Sequence, residues 1–168
     1  MSVLSPILAR WPWFAFIAAA AMLGAAHGFE TFMGLKPCEL CLKQREAYWI
    51  AGSVALAGIV LGFTPLKARA TRLVNLVLVA AFLYSLGWAG YHAGVEWHFW
   101  PGPKACSGGT TVSAADIDAM LKGAKVKAVM CDQVVWSWLG LSMAGWNTLI
   151  SLVLVALSAM AAARRSPA

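Results

Sequence analysis

The chain has 168 residues, 61% of them hydrophobic and 12% charged. That length makes one domain the natural prior, and soluble domains run nearer half apolar and about a quarter charged. A water-soluble fold is therefore disfavoured. The net charge of +6, from 13 Lys and Arg against 7 Asp and Glu, would suit a nucleic-acid partner only if the basic residues gathered for one, and their positions follow a different rule.

Residues 11–29, 47–66, 73–95 and 133–163 carry no Asp, Glu, Lys or Arg. A helix crosses the hydrocarbon core with about 20 residues. None of these runs alternates apolar and polar, as a barrel strand would. They predict an all-α transmembrane four-helix bundle, one membrane domain over 1–168. The spans are expected at roughly 12–29, 47–64, 73–95 and 143–163. The first run is longer than the h-region of a signal peptide, about 7–15 residues, so it is read as a span. Outer loops are expected at roughly 30–46 and 96–138. Four spans put both termini on one side with Arg10, Lys67, Arg69, Arg72, Arg164 and Arg165. The other side balances its Lys and Arg against all seven acids. The positive-inside rule places the termini in the cytoplasm. The surplus charge is thus topological, and no nucleic acid is needed to explain it. In the second loop, Ser113 to Asp116 is a variant capping box. Ile117, Met120 and Leu121 follow at helical spacing and predict a short amphipathic helix.

All four cysteines fall in the outer loops: Cys38 and Cys41 in the first, Cys106 and Cys131 in the second. An outward location is an oxidising one, so two structural disulfides are the plain reading. A Cys38–Cys41 bond closes a very small loop and constrains little of the unfolded chain, which suits a redox switch better than a staple. Pro37 precedes the pair, as at a helix start. There the helix dipole lowers a thiol pKa. Arg45 lies one helical turn beyond Cys41, on the same face. It is either a cation beside a thiolate or an interfacial side chain that snorkels or pairs with Glu46. Glu39, between the cysteines, opposes thiolate formation. A zinc site drawn from the cysteines with His27, His92 or His98 is conceivable, but the Cys106–Cys131 spacing forms no second knuckle. No metal is expected.

The run Cys38-Glu39-Leu40-Cys41-Leu42-Lys43-Gln44-Arg45 fits Cys-x-x-Cys-x-x-x-Arg. With four spans and a second outer cysteine pair, the chain resembles the DsbB family, the bacterial inner-membrane disulfide bond formation proteins, over almost its whole length. The resemblance implies a quinone-dependent protein-disulfide oxidoreductase. It would reoxidise a DsbA-like periplasmic oxidase and pass the electrons to ubiquinone or menaquinone in the lipid bilayer. It also implies that the reduced partner attacks Cys106, that Cys131 then attacks Cys38, and that Cys41 leaves as a thiolate beside the quinone. Arg45 would stabilise that thiolate and the developing oxyanion. His92, at the outer end of the third span, would sit near the quinone. A vitamin K epoxide reductase-like enzyme also combines four spans with CxxC, but places the motif at the last span. The alternative outside thiol oxidases is a structural or metal-binding membrane protein with a disulfide-stapled outer loop.

Overall fold

The computed structural model describes residues 4–103, 121 and 130–164. Those residues are mostly helical, with five helices and one two-stranded sheet among them. Helix α1 spans Leu4–Ala9 and α2 spans Trp11–Met33. Pro12 stands in the first turn of α2, where its missing N–H costs nothing. Gly34 ends α2 at φ 66°, a left-handed cap that glycine adopts without steric cost. Residues 34–38 then turn the chain into α3, Glu39–Leu61, which begins ahead of the charge-free run at residue 47. Helix α4 spans Lys67–Glu96. A hairpin of β1, Ser137–Trp138, and β2, Leu141–Ser142, leads into α5, Met143–Ala163. The short amphipathic helix expected from Ser113 lies outside the described residues, as does Cys106.

Three of the helices are long and apolar enough to cross a membrane: α2, α4 over Ala70–Glu96, and α5. Helix α3 matches α2 in length. Its first turns carry Glu39, Lys43, Arg45 and Glu46, so its apolar part is shorter.

Helix α3 packs between α2 and α4, and α4 packs along α5. Small residues make this approach possible, as in membrane helix pairs generally. Ala15 and Ala19 of α2 and Ala51 and Ala55 of α3 are buried with Leu78 and Phe82 of α4. A Cβ on Gly58 would lie 2.6 Å from Cγ1 of Val74 and 3.3 Å from Cβ of Pro12. Only a residue without a side chain lets α3 meet α4 and α2 there. The indole of Trp11 donates to Ser158 Oγ at 2.9 Å, closing α2 onto α5. Meanwhile Ile17, Trp49, Val60, Leu73, Leu152 and Val153 point outward. Only 17% of the most apolar window of α2 is buried inside the fold. Apolar surface this extensive needs a nonpolar surrounding.

Candidate active site

Cys38 is the N-cap of α3, and its sulfur accepts from the Cys41 N–H at 3.2 Å. The CxxC spacing brings Cys41 round one turn, and both thiols are free. Cys38 is buried and Cys41 half-buried. The two share their electrostatics. A hydrogen bond from the Cys38 thiol holds Cys41 below the ordinary thiol range. Arg45 pulls the same way, while burial and the Glu96 carboxylate oppose it. Cys38 is pushed up, first by that hydrogen bond to Cys41 and then by burial and the Cys41 charge. The N–H groups of Leu40 and Cys41 offset part of this. Of the reduced pair, Cys41 is thus the thiol that ionises more readily.

Arg45 does not pair with Glu46, which instead takes Lys43 at 3.1 Å. Arg45 crosses to α2, where its guanidinium meets Glu30 at 2.5 Å and donates to the Ala26 carbonyl at 3.0 Å. Those two contacts hold it at the wall of a cavity of about 270 Å³. Leu23 and Phe29 of α2, Trp136 ahead of the hairpin, and Ile150 of α5 give the cavity an apolar lining. Phe29 and Trp136 meet with their rings tilted by 58°, 5.1 Å between centroids. Into this lining project Cys41, Gln44, Arg45, His92 and Asn147. Apolar walls with a few convergent polar groups describe a small-molecule site.

His92 comes from α4. Its Nε2 lies 3.8 Å from Cys38 Sγ and 3.8 Å from a Glu96 oxygen. The Cys131 backbone also lies within hydrogen-bonding reach of the ring. Glu96 accepts from the hydroxyl of Ser142, the residue that caps α5. Ligand atoms of Cys38, Cys41 and His92 come within 4.8 Å of one another. Cysteines with His92 are one of the zinc sets that the sequence left open, although no metal is expected from it. Cys131 is disulfide-bonded and buried, in one apolar cluster with Cys38, Leu40 and Val95.

Of the residues singled out in the sequence, Cys38, Cys41, Arg45, His92 and Cys131 therefore meet at one end of the helix bundle. Sequence reasoning missed Glu30, Gln44, Glu96 and Asn147. Two of these carried a signal. Asn147 is a polar residue inside an apolar run, and polar groups in such runs are functional suspects. Glu96 stands four residues after His92, one turn along the same face. Gln44 sits among charged neighbours and looks like a solvated position until the fold buries it.

Comparison with known proteins supplies the family. The family described as Disulfide bond formation protein DsbB matches residues 9–161. Disulfide bond formation protein B of Marinobacter nauticus is 30% identical over 159 residues, covering 89% of each chain. The protein of the same name from Nitrosospira multiformis is 29% identical over 149 residues, 85% of this chain and 84% of its own. That of Hahella chejuensis is 30% identical over 158 residues, 89% of this chain and 90% of its own. With membrane-capable helices and a free CxxC pair at one end of them, this chain belongs to the DsbB family of membrane disulfide-forming oxidoreductases.

Proposed function

We propose that the protein is a quinone-coupled thiol oxidase that reoxidises a DsbA-like, thioredoxin-fold partner outside the cytoplasmic membrane. In this reading α2 to α5 form a four-span bundle with both termini cytoplasmic, and the two cysteine pairs work in series. The observation that carries it is the placement of Cys41 and Arg45 on the wall of an apolar cavity, with Cys38 behind Cys41. A quinone head group is a flat apolar ring with two carbonyl oxygens. The lining fits that chemistry, since Phe29 and Trp136 offer ring faces and Arg45 offers a donor. When bound there, the quinone supplies a sink for two electrons and two protons.

The chain's own residues do the rest. The reduced partner attacks Cys106, which breaks the Cys106–Cys131 bond and frees Cys131. Cys131, packed in the cluster of Cys38, attacks that sulfur. The Cys38–Cys41 bond breaks, a Cys131–Cys38 bond forms, and Cys41 leaves as the thiolate. In the reduced dithiol the hydrogen bond from Cys38, and to a smaller extent the positive charge of Arg45, favours the Cys41 thiolate against burial. A persistent thiolate is both a good leaving group and the nucleophile for electron transfer. Each exchange conserves the number of disulfides.

Purified protein in detergent, given a reduced thioredoxin-fold oxidase and a soluble quinone, is expected to bleach quinone absorbance catalytically. Cys41→Ser abolishes that turnover while the helical circular dichroism stays. No turnover by the wild type across several quinones and partners would overturn the reading.

A further inference from the structure

A chain of buried polar side chains runs from the middle of the helix bundle to the thiols. Its members are Ser151 and Asn147 on α5, Tyr48 and Gln44 on α3, and His92 on α4. All five are under 9% exposed, so each depends on the others for its hydrogen bonds. Buried polar groups left unpaired are costly.

The directions of these bonds are fixed from one end. The Leu40 carbonyl can only accept, and Gln44 Nε2 lies 3.3 Å from it. The amide nitrogen of Gln44 therefore faces that carbonyl. Its second hydrogen meets His92 Nδ1 at 2.8 Å. The amide oxygen is left for Asn147, whose Nδ2 donates to it at 2.5 Å. Asn147 is set in turn, because the Tyr48 hydroxyl donates to its Oδ1 at 2.5 Å. Turning either amide over would set donor against donor and acceptor against acceptor. His92 Nδ1 is consequently an acceptor, and a neutral ring carries its proton on Nε2. That is the nitrogen 3.8 Å from Cys38 Sγ.

We propose that Gln44 and Asn147 are positioning residues that lock His92 in the Nε2–H tautomer, so that it donates to the Cys38 sulfur whenever that sulfur bears negative charge. Such charge develops once Cys106 has taken Cys131 back from the Cys131–Cys38 bond, when the freed Cys38 thiol gives up its proton to close the bond to Cys41. Closure forms one S–S bond and releases two electrons and the Cys38 proton. With one proton from the medium these reduce the quinone to quinol, so the step balances. Throughout, His92 keeps its proton. It acts as a hydrogen-bond donor, and its Nε2 is not free to bind a metal ion.

The proposal rests on the oxidase reading for its consequence, but its test reads the tautomer directly. Nitrogen-15 NMR of histidine-labelled protein, reduced and in detergent without quinone or partner, is expected to show His92 with a protonated Nε2 and a bare Nδ1. Gln44→Glu replaces the donor with a carboxylate that only accepts, so the proton moves to Nδ1 and Nε2 becomes bare. In steady state that variant is expected to lose about tenfold in kcat, the usual scale for one lost charge-stabilising hydrogen bond. Asn147→Leu leaves Gln44 free to turn and yields both tautomers, whereas Asn147→Gln can still donate and keeps one. A wild-type proton on Nδ1, or an unchanged spectrum in Gln44→Glu, overturns the lock. A switched tautomer with undiminished kcat overturns its role at Cys38. Absence of quinone turnover in the wild type would count against the oxidase reading and leave the NMR result standing.

Discussion

The two ends of the helix bundle are packed by opposite rules. Around Trp11, Ala15, Ala51, Ala55 and Phe82, the helices meet through small residues and two aromatic side chains. There a single side-chain bond, Trp11 to Ser158, joins α2 to α5. At the other end Gln44, His92, Glu96, Ser142 and Asn147 are buried together, with a dithiol among them. Burying that many polar groups brings little net stability, because each bond mostly replaces one to water. The polar end must be kept for chemistry, and the small-residue end must supply the cohesion that tolerates it. Substitutions at the two ends should therefore separate: stability without activity at one, activity without stability at the other.

The largest expected effect is at the cohesive end. Gly58→Leu puts a side chain where even a Cβ would clash with Val74 and Pro12. Val74 is β-branched and has one stiff rotamer in a helix, so α3 must move away from α4. Overpacking of this kind costs about 1–3 kcal/mol or more. Thermal unfolding in detergent is expected to shift down by several degrees, while the folded fraction keeps its kcat. An unaltered melting temperature would show that Gly58 is not a contact point.

The two ends also differed in how far the sequence disclosed them. Charge-free runs announce the helices because a bilayer excludes ionised side chains. The CxxC pair and Arg45 are legible from a spacing of one helical turn. The partners of those residues are not, since Glu30 and Asn147 come from other helices and their approach is a property of packing. The Arg45–Glu30 pair shows this well: a local reading offers Glu46, next in the chain, yet that side chain points to Lys43. The hairpin at Ser137 to Ser142 was equally hidden. Strands of two residues have no period to read, and Leu139 at φ 51° is a conformation non-glycine residues seldom announce.

At the reactive end, Cys38→Ala tests how the thiols share their proton. Cys41 is held low chiefly by the Cys38 hydrogen bond. Without it, the midpoint of Cys41 alkylation by iodoacetamide is expected to move up toward the ordinary thiol value of 9.0. The same coupling has a sign in stability. A depressed Cys41 contributes stability that is complete above the unfolded thiol pKa and lost as pH falls through the folded value. The raised Cys38 works the other way: its contribution is present below the unfolded pKa and lost as pH climbs above it. The reduced protein should therefore be most stable near the ordinary thiol pKa, and Cys38→Ala should flatten that dependence. A midpoint that stays put in Cys38→Ala would assign the low value to Arg45 and the helix start instead.

The smallest effect expected is at Arg45, and it is the one that separates binding from chemistry. Its ion pair with Glu30 is partly exposed, 15% on the Arg45 side chain and 40% on the Glu30 side chain. Pairs of that kind contribute about 0–1 kcal/mol. Arg45→Ala should thus leave the melting temperature nearly unchanged. Its influence on Cys41 ranks behind that of Cys38, so Cys41 should stay below the ordinary thiol range. What the substitution removes is a donor on the cavity wall. The apparent quinone KM is expected to rise about tenfold, equivalent to roughly 1.4 kcal/mol of lost binding, with kcat falling less. Equal losses in kcat and kcat/KM would instead mean that Arg45 acts only in the transition state. Unchanged quinone kinetics would reduce it to an interfacial cation tied to Glu30, and the cavity would then hold its occupant by apolar contact alone.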